Sequence, residues 1–263
     1  MPEAALLNWT LSQFLSLVII MTRVGPLIFF LPVFGSRSVP DQVKILFTLM
    51  VSLTLVPVVR VTPADLPTSA VGFAVFAASE VVFAAVLAIF ARFIFAAVDT
   101  AGQMVGIQMG LGVAGTMDPE FGGQVSLVGQ FWGITTILIF LSIDGHHLFF
   151  RALIESFTWV RPGHMHITQA TFDGMMQGAA HMFVLSVKIM APACAALFFA
   201  HVAMGVIAKT VPQIPILIVG LPLNIAIGLI FMGLSISFFV PLLITNFNNL
   251  GRLLARLAIG MGV

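Results

Sequence analysis

Only 8% of the 263 residues are charged, tyrosine is absent and cysteine occurs once. A soluble domain carries roughly a quarter of its residues as charge, so this chain lives in or against a membrane. The lone Cys194 excludes an intramolecular disulfide, and its place inside an apolar run marks it as a small buried core residue. Without tyrosine, an aromatic belt at the membrane interface must be built from tryptophan. Trp9, Trp132 and Trp159 lie near the ends of apolar runs, where such a belt belongs, and the 25 phenylalanines are left to fill cores. A net charge of +1 with no basic cluster excludes nucleic acid as a partner. Walker loop, HExxH, GxSxG and CxxC signatures are all missing, so nothing argues for an enzyme or a cofactor.

Two further absences matter. The opening MPEAALLNWT has no basic segment and its apolar run outlasts that of a signal peptide, so it reads as retained. No metal site is expected either. The best candidate is His164-x-His166, with His146 and His147 upstream, but neighbouring histidines on a helix point about 100° apart and no thiolate or acid stands at ligand spacing. His181 and His201 are isolated and read as hydrogen-bonded core or interface residues.

What is present is a series of apolar runs near 4–34, 43–59, 70–98, 121–143, 146–160, 175–208 and 214–244. Measured against the ~20 residues that cross a bilayer, one is short and two are too long. The long ones contain Pro26 and Pro32, and Pro215, Pro222 and Pro241, each of which removes a helical hydrogen bond and kinks or ends a helix. The fold class is therefore all-α, built of kinked hydrophobic helices and helical hairpins. The positive-inside rule contradicts itself here. Arg37 and Lys44 favour a cytoplasmic first loop, which with six spans leaves the basic C-terminal tail, Arg252 and Arg256, outside. Either the span count is wrong or some helices are apolar because they pack against protein.

Charges inside the runs support the second alternative. Arg23, Glu80, Arg92 and Lys188 sit where a lipid-facing charge would cost several kcal/mol. Arg92 and Asp99 share a helix face but stand about 10 Å apart, and Glu80 lies about 120° around from Arg92, so this helix cannot neutralise its own charges. These five residues are read as buried charges paired between helices or subunits. A different class of protein, an ion-coupled secondary transporter, would use the same charges around a midplane site, but its usual internal repeat with paired interruptions is not evident.

The stretch GQMVGIQMGLGVAGTMDPEFGGQ, residues 102–124, interrupts this pattern. Gly102, Gly106 and Gly110 recur every four residues and form one smooth helical stripe that lets another backbone approach. Gln103, Met104, Gln108 and Met109 between them are flexible enough to reshape around a neighbour. Beyond Gly110 the glycines at 112, 115, 122 and 123 and the Asp118-Pro119 step disfavour helix. Irregular backbone at membrane depth is tolerated only where protein encloses it or where it lines a watery cavity. The segment thus reads either as an ordinary turn or as a displaceable, pore-plugging loop.

Three stretches make the chain resemble the FliR family of bacterial export-gate subunits: RVGPLIFFLPVFGSRSVPDQVKI from Arg23, GQMVGIQMGLGVAGTMDPEFGG, and AKTVPQIPILIVGLPLNIAIG from Ala208. Two positions depart from the family's pattern, Pro215 in place of an asparagine and Asn224 in place of a basic residue. The resemblance implies a non-enzymatic subunit of the flagellar type III export gate at the bacterial inner membrane, in the basal body, with much of the assembly above the membrane on the periplasmic side. It implies a hetero-oligomer with FliP and FliQ, contact with the FlhB switch protein, and passage of unfolded export substrates. It also implies one export-gate domain, FliP-like over 1–170 and a FliQ-like hairpin over 171–263. The plug would comprise Gly110, Gly112, Gly115, Thr116, Met117, Asp118, Pro119, Glu120, Phe121, Gly122 and Gly123, while Gly102, Gly106 and Gly110 pack against neighbouring subunits.

Overall fold

The computed structural model describes residues 2–31, 35, 39–59, 67, 69–111, 126–211, 213 and 215–262, with 2–9, 216 and 217 described by backbone alone. Among these residues there are seven helices and no strand. They are α1 (Pro2–Phe30), α2 (Asp41–Leu55), α3 (Ala70–Gln108), α4 (Leu127–Ser142), α5 (Gly145–Trp159), α6 (Gln169–Thr210) and α7 (Ile216–Met261). Four are long and apolar enough to cross a membrane: Thr10–Phe30 within α1, α3, α6, and Ile218–Met261 within α7. At 1.5 Å per residue, the 39, 42 and 46 residues of α3, α6 and α7 extend about 58, 63 and 69 Å. That is roughly twice a hydrocarbon core of ~30 Å.

Of the prolines expected to kink or end a helix, Pro32 lies outside the described residues. Pro215 does separate α6 from α7, but Pro26 lies within α1, Pro192 within α6, and Pro222 and Pro241 within α7, all of which continue through them. Each removes one backbone donor and leaves the carbonyl four residues earlier, that of Ser237 in the case of Pro241, without its helical partner.

The chain forms two compact units, each drawn from separated stretches. The first comprises Met1–Arg92, Asp144–Gly178 and Asn249–Val263. In it α1 packs closely on α2, where Gly25 approaches Thr48. The core is filled by Ile19, Ile20, Ile28, Phe83 and Leu153. Its C-terminal helix end is tied down by backbone: His166 N–H donates to the Met261 carbonyl at 2.9 Å and the Thr168 hydroxyl to that of Gly260 at 2.7 Å.

The second unit comprises Phe93–Ile143 and Ala179–Asn248. Phe95, Phe140 and Phe247 meet with ring centroids 5.2–5.7 Å apart, and Trp132 stacks on Phe239 at 5.7 Å. Trp132 is fully buried, so it is a core residue and not a member of an interfacial belt. Here α6 and α7 run antiparallel, with His181 bonded to Asn246 at 2.7 Å and His201 to Asn224 at 2.8 Å. Cys194 is only half-buried on α6. Many phenylalanines are not core either: Phe172, Phe183, Phe198 and Phe199 are exposed on α6, so apolar surface on this helix is left for another molecule to cover.

Candidate functional site

Helix α3 buries a stripe at three- and four-residue spacing: Phe83, Leu87, Ala91, Ile94, Val98, Ala101, Val105 and Met109. This is the pattern of one face of a 3.6-residue helix. Gly102 and Gly106 lie on the same stripe and are buried. A side chain at Gly102 would collide with the backbone of Gly129 on α4, whose nitrogen would stand 2.8 Å away. At Gly106 it would meet the Ser126 side chain. Small residues on both sides thus allow α3 and α4 to touch through their backbones.

Ser126 exploits that closeness. Its hydroxyl donates to the Gly102 carbonyl at 3.0 Å and accepts from the Gly129 N–H at 3.3 Å, so one oxygen caps the N-terminus of α4 and fastens it to α3. The other boundary of the segment is equally defined. Gly110 has φ +82°; its N–H donates to the Ile107 carbonyl at 3.0 Å, and the N–H of Leu111 to that of Gly106 at 3.0 Å. This pair of bonds around a left-handed glycine is the Schellman ending of a helix, and a β-carbon at residue 110 would strain it. Helix α3 therefore ends in a defined turn at Gly110, and α4 begins at a serine bonded to α3 itself.

Gly112, Gly115, Thr116, Met117, Asp118, Pro119, Glu120, Phe121, Gly122 and Gly123 lie outside the described residues. Of the flexible side chains before them, Gln103, Met104 and Gln108 are exposed, but Met109 is fully buried. Asp99 is exposed and accepts from Gln103 Nε2 at 2.9 Å.

Of the five charges singled out in the sequence, the structure brings two together, within the first unit. Arg23 donates from Nε to Glu80 Oε2 at 2.5 Å and from Nη2 to Oε1 at 3.1 Å, and neither side chain is exposed. Nη1 donates to the carbonyls of Ser156 and Val160, both at 3.0 Å, at the end of α5, where the Ser156 carbonyl also accepts from the Val160 N–H at 3.0 Å. Glu80 Oε1 also accepts from the Gly163 N–H at 2.8 Å. The guanidinium lies 4.5 Å from the ring centres of both Phe83 and Phe157, a favourable cation–π arrangement. Every donor direction of Arg23 but one edge is thereby used, and the pair binds α1, α3 and α5 into one core. Arg92 and Lys188 are exposed on the chain.

Near the start of α5, Asp144 (φ 55°), His146 and His147 have ligand-type atoms within 4.8 Å of one another. Asp144 and His147 are 3.8 Å apart with both side chains about 70% exposed. Two imidazoles and a carboxylate could offer a metal three ligands, but an open, three-residue arrangement of this kind is also ordinary at a solvent-facing helix start.

Sequence reasoning missed Ser126, Gly129, Ser156 and Gly163. Ser126 had a readable signal, since a serine directly before an apolar helical run is a standard N-cap. Gly129, and the carbonyl and N–H groups that complete the Arg23 cluster, had none, because backbone groups carry no residue-type signature.

A family model described as bacterial export proteins, family 1, matches residues 14–250. The chain is 30% identical over 239 residues to flagellar biosynthetic protein FliR of Bacillus subtilis (strain 168), covering 88% of this chain and 90% of that protein. It is 27% identical over 250 residues to the FliR of Pectobacterium carotovorum subsp. carotovorum, with 95% and 94% covered. To that of Aquifex aeolicus (strain VF5) it is 28% identical over 241 residues, with 91% of each covered. An all-helical chain with four membrane-length apolar helices, matched over nearly its whole length, belongs to the bacterial export proteins, family 1.

Proposed function

We propose that this chain is a structural and gating subunit of the flagellar type III export gate at the bacterial inner membrane. In this reading, the segment from Gly110 to Gln124 closes the channel until an unfolded substrate displaces it. The observation that carries the reading is the clamped base of that segment: a Schellman exit at Gly110 and a return at Ser126, which bonds back to Gly102. A plug must be displaceable without unravelling its root, and fifteen intervening residues, rich in glycine, suit the displaceable part.

The helix lengths support placing much of the protein outside the bilayer, on the periplasmic side, since about 60 Å or more of apolar helix exceeds what lipid alone can cover. Exposed apolar residues on α6 then call for neighbouring subunits, with FliP and FliQ as the partners, FlhB as a further contact and the α6–α7 hairpin as the FliQ-like part. Arg92, Asp99 and Lys188, exposed on the single chain, find their counter-charges and polar neighbours across those subunit boundaries. The transporter reading draws less support, because Arg23 and Glu80 neutralise each other in a dry core and leave neither free to couple an ion.

Deletion of residues 112–122 in cells that assemble the gate tests the plug directly. Small-ion leakage should rise while FliP and FliQ still co-purify with the chain; leakage at the parental level would overturn it.

A further inference from the structure

Within the second unit, the buried methionine at the end of α3 makes a contact distinct from the α3–α4 clamp. Met109 has no exposure, although it is the last helical-stripe residue before the turn. Its side chain runs onto α7 at Gly228: a β-carbon built on Gly228 would lie 2.5 Å from Met109 Cγ, 2.6 Å from Sδ and 2.8 Å from Cε. The thioether therefore occupies the volume that any side chain at 228 would need. One residue on, a β-carbon at Gly110 would lie 2.6 Å from Leu221 Cδ1, also on α7. Leu221 and Gly228 are seven residues apart, which puts them on one face of α7 about 10 Å from each other.

The two sets of contacts differ in kind. Gly102 and Gly129 approach through backbone, and the Ser126 hydroxyl bonds to the Gly102 carbonyl, so the beginning and end of the segment are joined and its base moves as one piece. Met109 and Leu221 join that base to a separate helix through side chains alone. Methionine is unbranched, with three rotatable bonds, and can leave a glycine hollow without breaking a backbone hydrogen bond.

We propose that Met109 seated in the Gly228 hollow is a latch through which α7 holds the gating segment in its closed position, and that opening withdraws the methionine. The proposal rests on the reading of residues 110–124 as the plug. Shifting or rotating α7 moves the hollow away from Met109, and moving the base of the plug pulls Met109 from the hollow, so either event promotes the other.

Small-ion leakage through the assembled gate tests the latch in two variants. G228A should evict Met109 and raise leakage several-fold. M109A, which leaves the hollow without its occupant, should raise leakage as well. A Gly228→Ala gate or an M109A gate that seals like the parent overturns the latch.

Because G228A could impair assembly, a crosslink supplies an independent reading. Met109 Cγ lies 2.5 Å from the point a β-carbon at residue 228 would occupy, so with a bond of about 1.5 Å the two β-carbons are at most about 4 Å apart, within disulfide range. In a chain with Cys194→Ala, oxidised M109C/G228C should stop substrate export with leakage low, and reductant should restore export. Normal export by the crosslinked protein overturns the latch. If deletion of 112–122 raises leakage while these variants behave as the parent, the latch alone fails; if the deletion leaks no more than the parent, the plug reading fails.

Discussion

Arg23 and Glu80, 57 residues apart in the chain, meet as a two-pronged ion pair with no solvent exposure at either side chain. The pair stands between Phe83 and Phe157 and is completed by carbonyls of Ser156 and Val160 and the N–H of Gly163. Charges removed from water are costly, and the cost is offset only when geometry is good and the remaining donors and acceptors are used. Both conditions are met here.

Removing one partner should therefore be worse than removing both. E80Q or R23M leaves an uncompensated buried charge or its orphaned partners and is expected to cost about 3–5 kcal/mol. The double variant R23M/E80L should lose less than the sum. Thermal unfolding of the detergent-solubilised chain, followed by helical circular dichroism, reads the difference; strict additivity would refute the coupling.

At Gly102 an added methyl group meets backbone, which cannot swing aside. Gly102→Ala is expected to push α3 from α4 and cost roughly 1–3 kcal/mol, and to lower the yield of assembled gate. Gly133, among the apolar residues of α4, has nothing within 4 Å of an added β-carbon. Gly133→Ala should leave the isolated chain as stable as the parent or slightly more so, since alanine favours helix by up to about 1 kcal/mol. Equal losses at the two sites in the unfolding midpoint would contradict the close approach.

Trp132 is buried against Phe239 with its indole N–H unpartnered. Trp132→Ala should cost about 3–5 kcal/mol through the cavity it leaves. Trp132→Phe should cost clearly less, because it keeps a stacking ring and eliminates a buried donor that has no acceptor. The ranking is measured by chemical or thermal unfolding, and a phenylalanine variant as unstable as the alanine one would show that the indole N–H is satisfied by water.

Lys188 is exposed near the middle of α6, beside exposed Phe183, Val184 and Val187. If a neighbouring subunit covers this face, its carboxylate must receive the lysine. Lys188→Glu should then reduce recovery of co-purified partner subunits far more than Lys188→Arg, which keeps the charge. Equal recovery of partners with both variants would place Lys188 outside any interface.

Several features were legible because they depend on local chemistry. The glycine stripe of α3 follows from spacing, the end of the helix near Gly110 from the glycines and the Asp118-Pro119 step beyond it, and the burial of Arg23 and Glu80 from the cost of exposing charge to an apolar medium. Trp132 and Met109 were not legible. An aromatic near a run end and a methionine beside a loop have the same sequence signature whether they face lipid, a partner or a core, and only packing chose the core for both. Pro222 and Pro241 likewise signal a break, yet α7 passes through them.

Composition and periodicity by themselves determined that this protein is helical, membrane-directed and without enzymatic signatures, because hydropathy and helical spacing are properties of short stretches of chain. Tertiary structure alone decided that Arg23 pairs with Glu80, that Ser126 fastens α4 to Gly102 and that Met109 enters the hollow at Gly228. Each of those choices depends on which distant backbone comes near, and distance through space is not written in any local pattern of residues.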